Sequence, residues 1–193
     1  MADLTGSRIA GGNTAYKRNN ADFYPTPPDV TFALLDFLRL STESTVIWEP
    51  ACGENHMVNQ IKKMGYNVFG TDIKTGADFL TYVPTKRFTW IITNPPFSLS
   101  EQFIHRCGQL KKPFALLLKS QYWHAKRRMS LFQEYTPSWV LPLTWRPDFC
   151  FGTRGGGSPL MDVMWCVWDL RVLDGPRYVP LERPNKIVVE VGF

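Results

Sequence analysis

The sequence predicts an α/β fold built on a mostly parallel sheet, and three observations predict it. Short apolar runs alternate with segments of helical periodicity through residues 29–118, the pattern of βαβ units. The run Phe114-Ala115-Leu116-Leu117-Leu118 is apolar throughout, as a strand covered on both faces is. Finally, Glu49, Asp72 and Asn94 each end or follow a predicted strand, where an open α/β sheet gathers its ligands.

The elements follow in order. After Tyr24-Pro25-Thr26-Pro27-Pro28, residues 29–40 place Val30, Leu34, Leu35, Phe37 and Leu38 at helical spacing, with Pro28 or Asp29 suited to the first turn. Residues 45–49 form a β-branched and aromatic strand that stops at Pro50. The small-residue loop Ala51-Cys52-Gly53-Glu54-Asn55 leads into a helix carrying Met57, Ile61 and Met64, ended by Gly65. Residues 67–71 give a second strand ending at Asp72, and residues 90–93 a third ending at Asn94. Residues 100–109 read as a helix with Phe103, Ile104 and Cys107 inward, followed by the buried strand 114–118. Residues 129–132 fit a short helix, 139–141 a strand and 163–170 a longer one, and 187–191 are a late β-prone run.

At 193 residues with 44% apolar content, the chain can bury one sizeable core but not two full domains. The expected division is a mobile arm over residues 1–22, a domain over 23–170, and an extension of that domain over 171–193. The net charge of +5 permits a polyanionic partner without establishing one. Cys52, Cys107, Cys150 and Cys166 are widely spaced without a C-x-x-C pair, so neither a metal site nor a disulfide framework is expected. No apolar run reaches a membrane-span length of about 20 residues, and no signal segment opens the chain. A soluble cytoplasmic protein without an obligate protein partner is expected.

Glu49-Pro50-Ala51-Cys52-Gly53 sets a carboxylate before a loop whose backbone amides can approach a ligand closely. Neither G-x-G-x-x-G nor G-x-x-x-x-G-K-[ST] occurs, which removes the usual support for a dinucleotide enzyme or a nucleotide hydrolase. Glu49 can instead pair with a cationic amine, and Asp72 can accept hydrogen bonds from a ribose diol. Either residue alone could equally cap a helix or a turn.

The sharpest motif is Asn94-Pro95-Pro96-Phe97, directly after the apolar run. Two prolines fix the backbone and remove two N–H donors, leaving carbonyl oxygens available. An aromatic amine is a poor nucleophile because its lone pair is delocalised into the ring. Holding both its N–H groups on the Asn94 side-chain oxygen and the Pro95 carbonyl favours a more tetrahedral nitrogen. Phe97 can stack on the base.

With these residues the sequence resembles the amino-methyltransferase family, and more closely the small phage-type DNA N6-adenine methyltransferases, over roughly residues 22–169. The resemblance implies a Rossmann-like class I methyltransferase fold, with a mostly parallel seven-stranded sheet flanked by helices and S-adenosylmethionine as cofactor. It implies Asn94, Pro95, Pro96 and Phe97 as the catalytic element. Glu49, Ala51, Gly53, Asp72, Asp78, Phe79 and Asn94 would bind the cofactor. Tyr24, Pro25 and Thr26 resemble the element at its methionine end, and their place before Glu49 is similar to the γ-type motif order. Arg146-Pro147-Asp148-Phe149 and Gly155-Gly156-Gly157-Ser158-Pro159 resemble a late element of the phage-type proteins. The implied reaction is direct in-line transfer to the N6 amino group of a flipped-out adenine, in a bacterial cytoplasm and with a phage or prophage gene. Cytosine C5 chemistry needs a thiolate, typically in a Pro-Cys pair, and no cysteine here follows a proline. There is no room for a large target-recognition domain, so strict recognition of a long site is not expected.

From Gln102 to Gln133 the chain has no Asp or Glu but carries Arg106, Lys111, Lys112, Lys119, Lys126, Arg127 and Arg128, with Tyr122, Trp123 and His124 interleaved. DNA, duplex or single-stranded, is the expected partner, met by Lys119, Tyr122, Trp123, His124, Lys126, Arg127, Arg128, Arg146 and Arg154. The alternative is a solvated basic face with Trp123 in the core. The loop around Gly155 would either order on DNA or join a hairpin. Competing functions are an RNA amino-methyltransferase acting on adenine N6 or guanine N2, and an inactive methyltransferase-like protein that only binds nucleic acid. A protein-glutamine methyltransferase is weaker, because those enzymes resemble N-P-P-Y and Phe97 departs from it.

Overall fold

Proline begins the first helix and apolar alternation builds the sheet. In the computed structural model, which describes residues 24–149, 161–172 and 174–191, the order is α1 (Pro28–Leu38), β1 (Val46–Glu49), α2 (His56–Lys63), β2 (Asn67–Gly70), β3 (Trp90–Thr93), α3 (Ser100–Leu110) and β4 (Phe114–Lys119). There follow α4 (Met129–Glu134), β5 (Trp139–Pro142), β6 (Val163–Trp168), β7 (Arg177–Tyr178) and α5 (Lys186–Val191). The arm over 1–22, Cys150 and the glycine loop with Arg154 lie outside the described residues.

The strands form one sheet of order β2-β1-β3-β4-β6-β5-β7. The first four strands run parallel, β6 is antiparallel to both β4 and β5, and β7 is parallel to β5. Period-two alternation divides the core into two layers. Ile47, Trp90, Ile92, Ala115, Leu117 and Trp165 face α1 and α2 through Val30, Leu34, Met57 and Ile61. Trp48, Ile91, Leu116, Leu118 and Cys166 face α3 and α4 through Phe103, Ile104, Cys107 and Leu131. The expected mostly parallel, seven-stranded sheet is therefore the observed one.

The late run 187–191 is helical, not a strand, and the seventh strand is instead the two-residue edge Arg177–Tyr178. Packing decides this against propensity: Val189 is buried in the first layer, and its carbonyl accepts a hydrogen bond from Gln60 Nε2 at 3.4 Å. The start of α1 is also pinned to the sheet, because the fully buried Trp165 donates from Nε1 to the Val30 carbonyl at 3.1 Å. Arg183 adds an ion pair to Asp29 at 3.0 Å. No helix among the described residues is long and apolar enough to cross a membrane.

β1 connects to α2 on one face and β3 connects to α3 on the other, so the strand order reverses between β1 and β3. That reversal opens a crevice at the carboxyl ends of these strands. Gly70 ends β2 beside it, and a Cβ there would lie 2.7 Å from Cys52 Cβ and 3.0 Å from Val58 Cγ2. The loop after β1 can seat against β2 only because residue 70 has no side chain. Gly70→Ala is expected to destabilise the fold by about 1–3 kcal/mol, read as a lowered denaturation midpoint. Adding Cys52→Gly should recover part of that loss; a Gly70→Ala protein as stable as wild type would refute the contact.

Candidate active site

The loop after β1 is stitched to the end of β2 by backbone bonds. Thr71 N–H donates to the Glu49 carbonyl at 2.9 Å, and Cys52 N–H donates to the Thr71 carbonyl at 3.0 Å. Gly53 N–H then donates to Asp72 Oδ2 at 2.8 Å, while Asp72 Oδ1 accepts from Lys74 N–H at 2.9 Å. Gly53 and Asn55 both have positive φ, 49° and 64°, which turns the chain sharply into α2. Asp72 is thus a buried tie between two strand ends, and each of its oxygens keeps acceptor capacity for a ligand.

Glu49 is 2% exposed, and its Oε2 has no hydrogen-bond partner. Burial, and then the negative charge of Asp72, push its carboxyl well above the usual range, partly opposed by a bond from the Val58 backbone. A carboxylate held dry with an unused oxygen is costly unless a donor or cation meets it. The same two carboxylates stand near Cys52, whose thiol burial, Glu49 and Asp72 push up to about 11.

At the end of β3, Asn94 Nδ2 donates to the Tyr24 carbonyl at 2.9 Å and to Thr26 Oγ1 at 3.1 Å. Its Oδ1 is buried and has no partner. The Phe97 ring lies 5.6 Å from the Tyr24 ring, and Lys119 Nζ sits 4.4 Å from its centroid. Lys119 thus reaches the Asn94-Pro95-Pro96-Phe97 segment from the end of β4.

Tyr24, Glu49, Asp72 and Asn94 meet in one cleft that opens to solvent. Of the residues expected there, Tyr24, Pro25, Thr26, Glu49, Ala51, Asp72, Asn94 and Pro96 line it. Gly53 serves it through Asp72. Pro95, Phe97, Asp78 and Phe79 do not line it: Pro95 is buried and Phe97 half-buried against Tyr24, Asp78 Oδ1 caps its own turn by accepting from Leu80 N–H at 3.0 Å, and Phe79 is 3% exposed, packed on Trp48 and Phe103. An aromatic among apolar neighbours goes to the core first. Cys52, Glu54, His56, Met57, Ile73 and Lys74 line the cleft unforeseen, and only their closeness to Glu49 and Asp72 in sequence could have signalled them.

The expected DNA-contacting residues separate. His124, Lys126 and Arg127 are exposed. Tyr122 is buried, and Arg128 is internal: it donates to Glu101 Oε1 at 2.9 Å and to the Tyr122 carbonyl at 3.0 Å, with its guanidinium 4.0 Å from the Tyr122 ring. The basic run thus supplies its own structural clamp. Trp123 stacks on Phe132 at 4.1 Å and is only partly buried, and Arg146 is paired with Asp162 at 2.7 Å.

No family model and no curated protein matches the chain. Solved structures do. A provisionally assigned class I S-adenosylmethionine-dependent methyltransferase from Listeria monocytogenes superposes with a TM-score of 0.59 at 13% identity, over 84% of this chain and 67% of that one. The modification subunit of a provisionally assigned type I restriction enzyme from Vibrio vulnificus gives 0.52 at 11% identity, over 93% of this chain and 51% of that one. The fold is the class I methyltransferase fold. The chain spans about half the length of the restriction subunit.

Because the folded protein holds the Glu49 proton more tightly than the unfolded chain does, the stability linked to this group is present below the ordinary glutamate value of 4.5. It is lost as pH rises through the higher folded-state value. Glu49→Gln should therefore stabilise the ligand-free protein near neutral pH and flatten its stability profile above pH 4.5, measured by thermal melts across pH. A melting profile parallel to wild type would count against a strained carboxylate.

Proposed function

We propose that this protein is an S-adenosylmethionine-dependent methyltransferase acting on the N6 amino group of adenine in DNA. The observation that carries the reading is the pair of buried acceptors without partners, Glu49 Oε2 and Asn94 Oδ1, at a single crevice where the strand order reverses. The fold shared with a methyltransferase supports it, and the restriction subunit's modification role agrees with a DNA acceptor.

The residues present fit the cofactor. Glu49 offers its unused oxygen to the amine of the methionine part, Asp72 its remaining acceptor capacity to the ribose diol, and the Ala51-Cys52-Gly53 loop its close backbone approach. When bound, S-adenosylmethionine supplies an electrophilic methyl group on a sulfonium. The chain's own part is to make a poor nucleophile attack. Asn94 Oδ1 and the Pro95 carbonyl accept the two N–H groups of the target amine, draw its nitrogen toward tetrahedral geometry, and stabilise the positive charge that develops there. No covalent enzyme intermediate is needed. Phe97 offers a ring face to the base, and Lys119, now resting on that ring, moves to a backbone phosphate as the base arrives. A duplex adenine reaches Asn94 only by leaving the stack, at a cost of a few kcal/mol. His124, Lys126 and Arg127, all exposed, are the groups we assign to the strand's phosphates. A phage gene expressed in a bacterial cytoplasm accords with the sequence resemblance.

The test is to incubate the protein with methyl-labelled S-adenosylmethionine and separate DNA, RNA and protein acceptors, then identify the modified nucleoside. N6-methyladenine in DNA is expected; label confined to RNA or protein would overturn the acceptor. Asn94→Ala should lose at least about 100-fold in transfer, the scale seen when one preorganised polar group is removed. Lys119→Gln should raise KM for DNA, reduce the salt slope of binding by about 1, and leave cofactor affinity unchanged.

A further inference from the structure

The Tyr24-Pro25-Thr26 segment resembles an element that lies at the cofactor, yet its Tyr24 carbonyl and Thr26 hydroxyl are bonded to Asn94. Resting on the proposed amine methylation, we infer that this segment is an orientation clamp: the Tyr24 carbonyl, which can only accept, fixes which end of the Asn94 amide faces the target, the Thr26 hydroxyl takes the second amide hydrogen and holds the side chain in place, and the pair makes residue 94 specific for asparagine over aspartate.

The argument begins with the backbone. Tyr24 and Thr26 each precede a proline, which restricts both to extended conformations, and each proline fixes its own φ. Pro27 has φ −60° and ψ 145° and leads directly into α1, whose first turn is bonded to Trp165. The two acceptors are therefore held by the sheet through a short rigid path. Asn94 Nδ2 uses both of its hydrogens, one on the Tyr24 carbonyl at 2.9 Å and one on Thr26 Oγ1 at 3.1 Å. Turning the amide over would set Oδ1 against the Tyr24 carbonyl, acceptor to acceptor. It would also present N–H donors to an amine that has only N–H donors to offer. With the amide held this way, Oδ1 is left unpaired and buried, ready to accept from the substrate.

Aspartate lacks those hydrogens. Its ionised carboxylate would bring an oxygen against the Tyr24 carbonyl with no proton between them, so Asn94→Asp should fit the clamp only when protonated. The protonated acid donates to Tyr24 and keeps a carbonyl oxygen for the target. Thr26 is then a positioning residue that acts through Asn94, apart from any contact it makes with the cofactor.

The experiment uses the full chain and the acceptor identified in the transfer assay. Thr26→Val, which keeps shape and removes the acceptor, should lower kcat about tenfold, the effect of about one hydrogen bond, with S-adenosylmethionine Kd within about twofold of wild type. Thr26→Ser should restore most of the rate, and Thr26→Val should add nothing in an Asn94→Ala background. Asn94→Asp should gain activity as pH falls. A Thr26→Val protein that loses cofactor affinity while keeping kcat overturns the clamp and leaves the methyltransferase reading intact. Full transfer by Asn94→Ala instead overturns that reading of the site. The clamp is also read without catalysis, since Asn94→Asp should lose stability relative to wild type as pH rises above the ordinary carboxylate range. Parallel pH–stability profiles for the two proteins would refute it.

Discussion

Where β1 and β3 lie side by side, the chain leaves one strand toward one face of the sheet and leaves the other strand toward the opposite face. No helix can cover the gap between their carboxyl ends, and backbone groups there must find partners in loops or in a ligand. Glu49, Asp72 and Asn94 all stand at this gap. Asp72 is tolerated there because it is bonded to two backbone amides, and Asn94 because its amide nitrogen is bonded to the segment before α1. What is left over, one oxygen of Glu49 and one of Asn94, marks where the fold expects another molecule.

Three features far apart in sequence make this arrangement rigid. The prolines before α1 fix the arm that touches Asn94, Trp165 on β6 ties α1 to the sheet, and the absent side chain at Gly70 lets the Cys52 loop lie on β2. Each is a packing constraint, and each bears on a polar atom of the cleft. Preorganised polar groups of this kind act where charge develops, because they need no reorganisation at the moment of reaction.

Much of the fold was legible in the sequence because strand residues follow hydrophobic alternation, and the strand-terminal carboxylates and Asn94 stand out against it. Failures came where tertiary packing outweighs local preference. The run 187–191 is β-prone, yet Val189 is buried in a layer where a helix fits. Phe79 looked like a ligand contact by position, but it fills the space between Trp48 and Phe103. Arg128 looked like a phosphate contact, whereas Glu101, outside the acid-free run by one residue, claims it. The two hydrogen bonds from Asn94 to residues 24 and 26 join positions some seventy apart, and no periodicity reveals such a pairing.

Cys52 gives the cleft a problem of chemical selectivity and also its solution. A thiolate is a far stronger nucleophile toward a sulfonium methyl than any aromatic amine, and Cys52 is among the residues that line the same cleft. Burial and the two neighbouring carboxylates push the thiol up to about 11, so at neutral pH almost none of it ionises. Burial first, and the neighbouring Glu49 and Asp72 after it, would thereby keep this thiol from being alkylated under the proposed function.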